Sequence, residues 1–115
     1  MRSAKFAVVL AAALFIGMGL VAAQADKVVR GKKVYAAKEC SKCHMIAGKG
    51  NKIGKLDGVA TKLSAADIKK WLTDPLEMEK KLEKPPKVKM SSKAKQMKLT
   101  DADVEALVAY MLTLK

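Results

Sequence analysis

Residues 39–46 read Glu-Cys-Ser-Lys-Cys-His-Met-Ile and contain the only two cysteines and the only histidine of the 115-residue chain. Cys40 and Cys43 stand at i and i+3, on the same side of a helical turn. His44 follows at once, so its imidazole can project beside the two sulfurs. C-x-x-C-H at this spacing suits a haem held by two thioether bonds, with the histidine nitrogen bound to iron beneath the ring. Other uses of the same residues explain less. A disulfide is the ordinary role of two cysteines in an oxidising compartment, but here it would close a tight loop and leave His44 without a role. A thioredoxin-like redox pair needs a βαβ setting. A zinc site takes four ligands, and this set stops at three.

With His44 spent on one face of the iron, the other face takes methionine, lysine or water, or stays open. Thioether ligation raises the reduction potential and suits electron transfer, whereas an open face suits gas binding or peroxide chemistry. Beyond residue 25 the candidates are Met45, Met78, Met90, Met97 and Met111.

These residues need a scaffold, and the chain first presents a segment to set aside. Arg2 and Lys5 precede an uncharged apolar run from Phe6, which leads into Ala23-Gln24-Ala25. A charged start, an apolar middle and an A-x-A exit form the layout of a secretory signal peptide. Cleavage after Ala25 is expected, leaving residues 26–115 as one domain in the periplasm. The alternative is an uncleaved anchor, since about 18 apolar residues just span a bilayer. The net charge is +12. Residues 26–115 carry all 11 acids and lose only Arg2 and Lys5, which leaves a formal +10. Such a surface attracts anionic partners. No nucleic-acid recognition module accompanies the lysines, so acidic protein faces or anionic lipid surfaces are the better candidates.

Three helices are predicted. The clearest spans 101–114, where Thr100 caps, Asp103 completes the box and Val104, Leu107, Val108, Met111 and Leu112 share an apolar face. Ser64 and Asp67 repeat the start signal for a second helix, with Ile68, Trp71 and Leu72 on one face and Pro75 ending it at Asp74. A first helix is expected from about Asp26 towards Cys40, with Val28, Gly31 and Tyr35 on one side. A short helix is placed at 76–83, stopped by Pro85-Pro86. The remainder reads as long Gly- and Lys-rich loops without strand pattern. Tyr35, Trp71 and Tyr110 are the only aromatics after residue 25, too few for the core of a domain that size, which a cofactor would complete.

Together these segments resemble a class I c-type cytochrome over essentially all of residues 26–115. Gly31-Lys-Lys-Val-Tyr35 before the C-x-x-C-H resembles the family's first helix, and residues 107–115 resemble its last. The resemblance implies an all-α fold of three main helices and long loops around one covalently bound haem c and its iron, with Gly31 and Tyr35 crossing Leu107 and Tyr110. It implies that a backbone carbonyl before Leu56 holds the His44 ring. Lys55 stands where the family usually has proline, and its carbonyl is expected to serve. The family's ligand methionine is often followed by proline, whereas Met90 is followed by Ser91.

Cofactor-binding residues are therefore expected to be Cys40, Cys43, His44 and Met90, with His44 and Met90 on the metal. Met45 adjoins His44 and lacks the chain length to reach the opposite face. Met78 falls at the short helix and Met111 on the apolar face of the last one. Met97 competes best, three residues before Thr100. Met90 sits mid-loop behind Pro85-Pro86, whose extended course can lay it across the haem. The expected function is that of an exported monomeric carrier of single electrons between redox partner proteins. Lys42, Lys87, Lys89 and Lys93 would steer docking onto acidic faces. No acid/base pair or substrate pocket is visible, so the chain is not read as an enzyme. The alternative is a haem domain with a labile or open distal face, acting as a sensor or peroxidase.

Overall fold

A computed structural model describes the backbone from Arg2 to Lys115 and the side chains from Gly19 onward. The expected signal segment, residues 1–25, falls mostly outside the described side chains. Among the described residues, no helix is long and apolar enough to cross a membrane.

Helix α1 runs without a break over Arg2–Ala37, so it begins well before the expected Asp26. Gly19 to Lys27 are exposed, and burial begins at Val28. The helix ends three residues short of Cys40. Lys38 N–H still bonds the Val34 carbonyl at 2.9 Å, but Glu39 adopts the left-handed conformation at φ 55° and breaks the ladder.

The opposite end of the chain supplies the partner of α1. Helix α6 spans Asp101–Met111, and its N-terminus carries the predicted capping box. Asp103 N–H donates to Thr100 Oγ1 at 3.1 Å, and Thr100 N–H donates to Asp103 Oδ2 at 3.1 Å. The helix stops at Met111 rather than 114, because Thr113 and Leu114 N–H bond three residues back, to Tyr110 and Met111 carbonyls, and tighten the chain out of α geometry. Where α1 and α6 cross, a Cβ on Gly31 would meet the Ala106 carbonyl oxygen and would lie 2.7 Å from Tyr110 Cβ. Ala106, rather than the expected Leu107, forms the closest approach. The Tyr35 and Tyr110 rings meet edge-on with centroids 5.9 Å apart. Arg30 closes the same crossing with an ion pair to Asp103 at 3.4 Å.

Between these helices lie α2 over Val59–Lys62, α3 over Ala65–Thr73, α4 over Pro75–Lys80 and α5 over Ser91–Met97. Ser64 caps α3 by accepting the Asp67 N–H at 3.1 Å, and Pro75 both ends α3 and opens α4 at its first position. The short helix at 76–83 is thus shorter and one residue earlier than expected. Helix α5 was not legible in the loop that holds it. A two-residue hairpin also interrupts the all-helical expectation: β1, Met45–Ile46, pairs antiparallel with β2, Lys49–Gly50. Its turn residues, Ala47 at φ 51° and Gly48 at φ 79°, are both left-handed, the geometry that matches strand twist in a tight hairpin.

Among the described residues, the buried apolar ones include Val34, Ile68, Met78, Val104, Ala106, Leu107, Ala109 and Met111. No large side chain among the described residues is fully buried. The helices alone make a thin core.

Candidate haem-attachment site

The left-handed Glu39 turns the chain directly into a single 3-10 turn, Cys40–Lys42, followed by Cys43. Cys43 N–H bonds the Cys40 carbonyl at 3.1 Å, and His44 N–H bonds the same oxygen at 2.9 Å. One carbonyl thus gathers both later residues of the motif. The turn holds the backbones of Cys40, Cys43 and His44 together, in 3-10 rather than α geometry. No disulfide joins the two cysteines; Cys40 is half-buried and Cys43 exposed. Burial pushes the Cys40 thiol above its ordinary value.

His44 is oriented from below. Its Nδ1–H donates to the Gly54 carbonyl at 2.9 Å, which fixes the tautomer and leaves Nε2 with its lone pair free for a metal. The carbonyl is that of Gly54, not Lys55 as expected. Residues Lys52–Gly54 form a second 3-10 turn that ends with this oxygen at the ring, while Lys55 pairs with Met45 as a parallel bridge. A Cβ at position 54 would lie 3.0 Å from His44 Nδ1 and would meet the Cys43 carbonyl oxygen, so the bare glycine allows this close approach.

Two further residues of this site were not foreseen. Asn51 N–H is shared between the Ser41 carbonyl at 3.1 Å and the His44 carbonyl at 3.0 Å. Its amide donates to Lys42 O at 3.3 Å, and its Oδ1 accepts Ile53 N–H at 3.0 Å. Asn51 therefore ties the C-x-x-C-H turn to the turn that carries Gly54. Asp57 Oδ1 accepts the Ala47 N–H at 2.9 Å and holds the hairpin between them. The cluster of Gly, Asn and Asp in residues 47–58 was the available signal, since such residues mark turns.

Met90 lies on a separate segment, half-buried, immediately before α5. Met97 ends the same helix and is also half-buried. Met78 in α4 and Met111 in α6 are buried at 7% and 6% exposure, and Met45 forms β1. Core packing occupies Met111, as its place on the apolar face of the last helix implied, and also Met78, for which no packing role was expected. Next to Met90, Ser91 donates twice to Glu79, from N–H to Oε1 at 2.8 Å and from Oγ–H to Oε2 at 2.6 Å. The Ser91 hydroxyl and N–H hold the Glu79 carboxyl below the usual carboxylate range. Nothing local in the sequence marks Glu79 for this contact, because its partner lies twelve residues away.

The residues present fit a haem. Tyr35 Oη is buried with no hydrogen-bond partner, and burial first, then the Cys40 sulfur, pushes its phenol up to about 12. An orphaned hydroxyl beside the motif, on a core without a fully buried large side chain, marks an interior that needs another group to complete it. Two sulfurs and a preset imidazole nitrogen supply its attachment. Among the described residues, no three His, Cys, Asp or Glu side chains gather as a metal cluster.

The cytochrome c family model matches residues 28–115. The chain belongs to the cytochrome c family. It is a haem-binding protein of the electron-transfer type, and its cofactor is covalently attached haem c with iron. Cys40 and Cys43 stand at the attachment spacing of that family. No match was found among curated proteins or among solved structures. The cytochrome c match begins at Val28, where burial of α1 also begins, and it includes all of α6 and the part of α1 that crosses it.

Proposed function

We propose that this cytochrome c is an exported, monomeric, single-haem carrier that passes one electron at a time between redox partner proteins. The observation that carries the reading is the His44–Gly54 bond, which sets an imidazole nitrogen for metal binding directly after the two cysteines. When bound, the haem supplies a ferric/ferrous couple. The chain does the rest. Cys40 and Cys43 would hold the cofactor by two thioether bonds. His44 Nε2 and Met90 Sδ would be its iron ligands, the first already preset by the bond to Gly54. Gly54 keeps the imidazole in one tautomer and one orientation, which limits rearrangement between the two oxidation states.

The charge pattern supports protein partners with acidic docking faces. Lys87, Lys89 and Lys93 are exposed on the segment that carries Met90. Lys42 is exposed beside Cys43 and pairs with Glu39 at 2.7 Å, a surface bond weak enough to exchange for a partner carboxylate. Long-range attraction of this kind raises association rates and is screened by salt. Export to the periplasm is supported by the residue 1–25 pattern; intact mass of haem-containing exported protein should correspond to a chain beginning at Asp26, and a mass retaining Arg2 and Lys5 would contradict it.

Voltammetry of the holoprotein tests the carrier role. A reversible one-electron wave is expected, with oxidation by an anionic reagent slowing as salt rises and oxidation by a cationic one accelerating. An irreversible response, or turnover of peroxide in its place, would contradict it.

A further inference from the structure

The residues from Lys81 to Lys89 are all exposed, and they separate α4 from the methionine at the start of α5. That stretch includes Pro85 and Pro86, four lysines after Lys80 and no buried anchor. Left to itself it would place Met90 loosely. Met90 also cannot secure the helix that follows it: it occupies the N-cap position in right-handed helical geometry, without a side-chain cap. Ordinarily the N-cap side chain accepts a free N–H of the first turn.

Glu79 takes over that duty from twelve residues away. It is the one charged residue buried among those described, at 5% exposure. Each of its oxygens is used on the same partner, Oε1 by Ser91 N–H at 2.8 Å and Oε2 by Ser91 Oγ–H at 2.6 Å. A two-point bond fixes orientation as well as position, because neither contact can swing without breaking the other. The carboxylate belongs to α4, whose neighbours Pro75 and Met78 are buried, so it is itself held by the core.

We propose that Glu79 is the positioning residue of the distal ligand: through Ser91 it holds Met90 at the iron and keeps the loop lysines from replacing it. This rests on the assignment of Met90 as ligand. Glu79 does not touch the cofactor on this account; it sets how readily the methionine leaves.

The test uses the holoprotein and displacement of the methionine–iron charge-transfer band by added imidazole. Glu79→Gln and Ser91→Ala are expected to keep thioether-bound haem but to yield the band to imidazole at about a tenth of the wild-type concentration, the loss of a hydrogen bond to a charged group. Ser91→Thr, which keeps the hydroxyl, should restore the wild-type midpoint. The exposed Glu77→Gln, which removes only the surface pair with Lys80, should match wild type. If Glu79→Gln does not fold, Ser91→Ala and its threonine rescue decide alone. A wild-type band lost in Met90→Ala but displaced at an unchanged imidazole concentration in Ser91→Ala overturns the role of Glu79 and leaves the ligand standing. A band that survives Met90→Ala overturns both.

Discussion

Gly31 presents its bare Cα to the backbone of Ala106 and to Cβ of Tyr110, so that α1 and α6 cross in close contact. The contact joins the two ends of the folded domain, and Tyr35 against Tyr110 and Arg30 against Asp103 extend it along the helices. Everything between, including the haem-attachment turn, hangs from this crossing.

Gly31→Ala follows directly. Ala would favour the isolated helix by about 1 kcal/mol, yet here its Cβ meets Ala106 backbone, which cannot give way as a flexible side chain can. Overpacking of this kind costs about 1–3 kcal/mol, so a lower denaturation midpoint with unchanged haem content is expected. A midpoint equal to or above wild type would show that the helices part easily.

Covalent attachment predicts a simple chemical result. Wild-type protein should retain its haem in acidified organic solvent. Cys40→Ala and Cys43→Ala should each keep one thioether, and the double variant should release all its haem and yield little folded protein. The thin core gives the reason, since no large side chain among the described residues is fully buried. Abundant folded, haem-free double variant would contradict it.

The α6 capping box predicts both a stability change and its pH dependence. Thr100→Ala removes an N-cap and should cost about 1 kcal/mol. The Thr100 N–H first, then its hydroxyl and Arg30, hold the Asp103 carboxyl below the ordinary aspartate value of 3.8. The unfolded chain therefore takes up this proton more readily than the folded one. The contribution of the ionised form is complete above the ordinary value and is lost as pH falls through the depressed folded value. Asp103→Asn should consequently flatten the acid limb of a stability-versus-pH curve while changing its alkaline limb little. An unaltered acid limb would remove Asp103 from the account.

Met90 and Met97 flank the same seven-residue helix, and a pair of variants separates them. Met90→Ala should abolish the methionine–iron band and lower the reduction potential, as loss of a thioether ligand does. Met97→Ala should leave both nearly unchanged. The reverse pattern would move the ligand to the other end of α5.

The capped helices were legible because their signals are local. Thr100 with Asp103 and Ser64 with Asp67 form their bonds within four residues, and the sequence displays both halves. The C-x-x-C-H motif is local for the same reason. Helix α5 was hidden because the carboxylate that receives its first N–H comes from Glu79, twelve residues upstream. The orientation of His44 was only half legible: a carbonyl was expected, but choosing Gly54 over Lys55 depends on a 3-10 turn and on the bridge between Lys55 and Met45. The hairpin at Met45–Gly50 escaped notice because two residues a strand leave no alternation to read, and Ala47 gives no hint of a positive φ.

The proposed ligation of the haem by both His44 and Met90 is tested most directly by one pair of spectra. Ferric holoprotein without added ligand should be low-spin and show the methionine–iron charge-transfer band. The ferrous form should be slow to take up carbon monoxide, since Met90 must leave first. A high-spin ferric spectrum, with immediate carbon monoxide binding on reduction, would mean an open distal face and would contradict the electron-carrier reading.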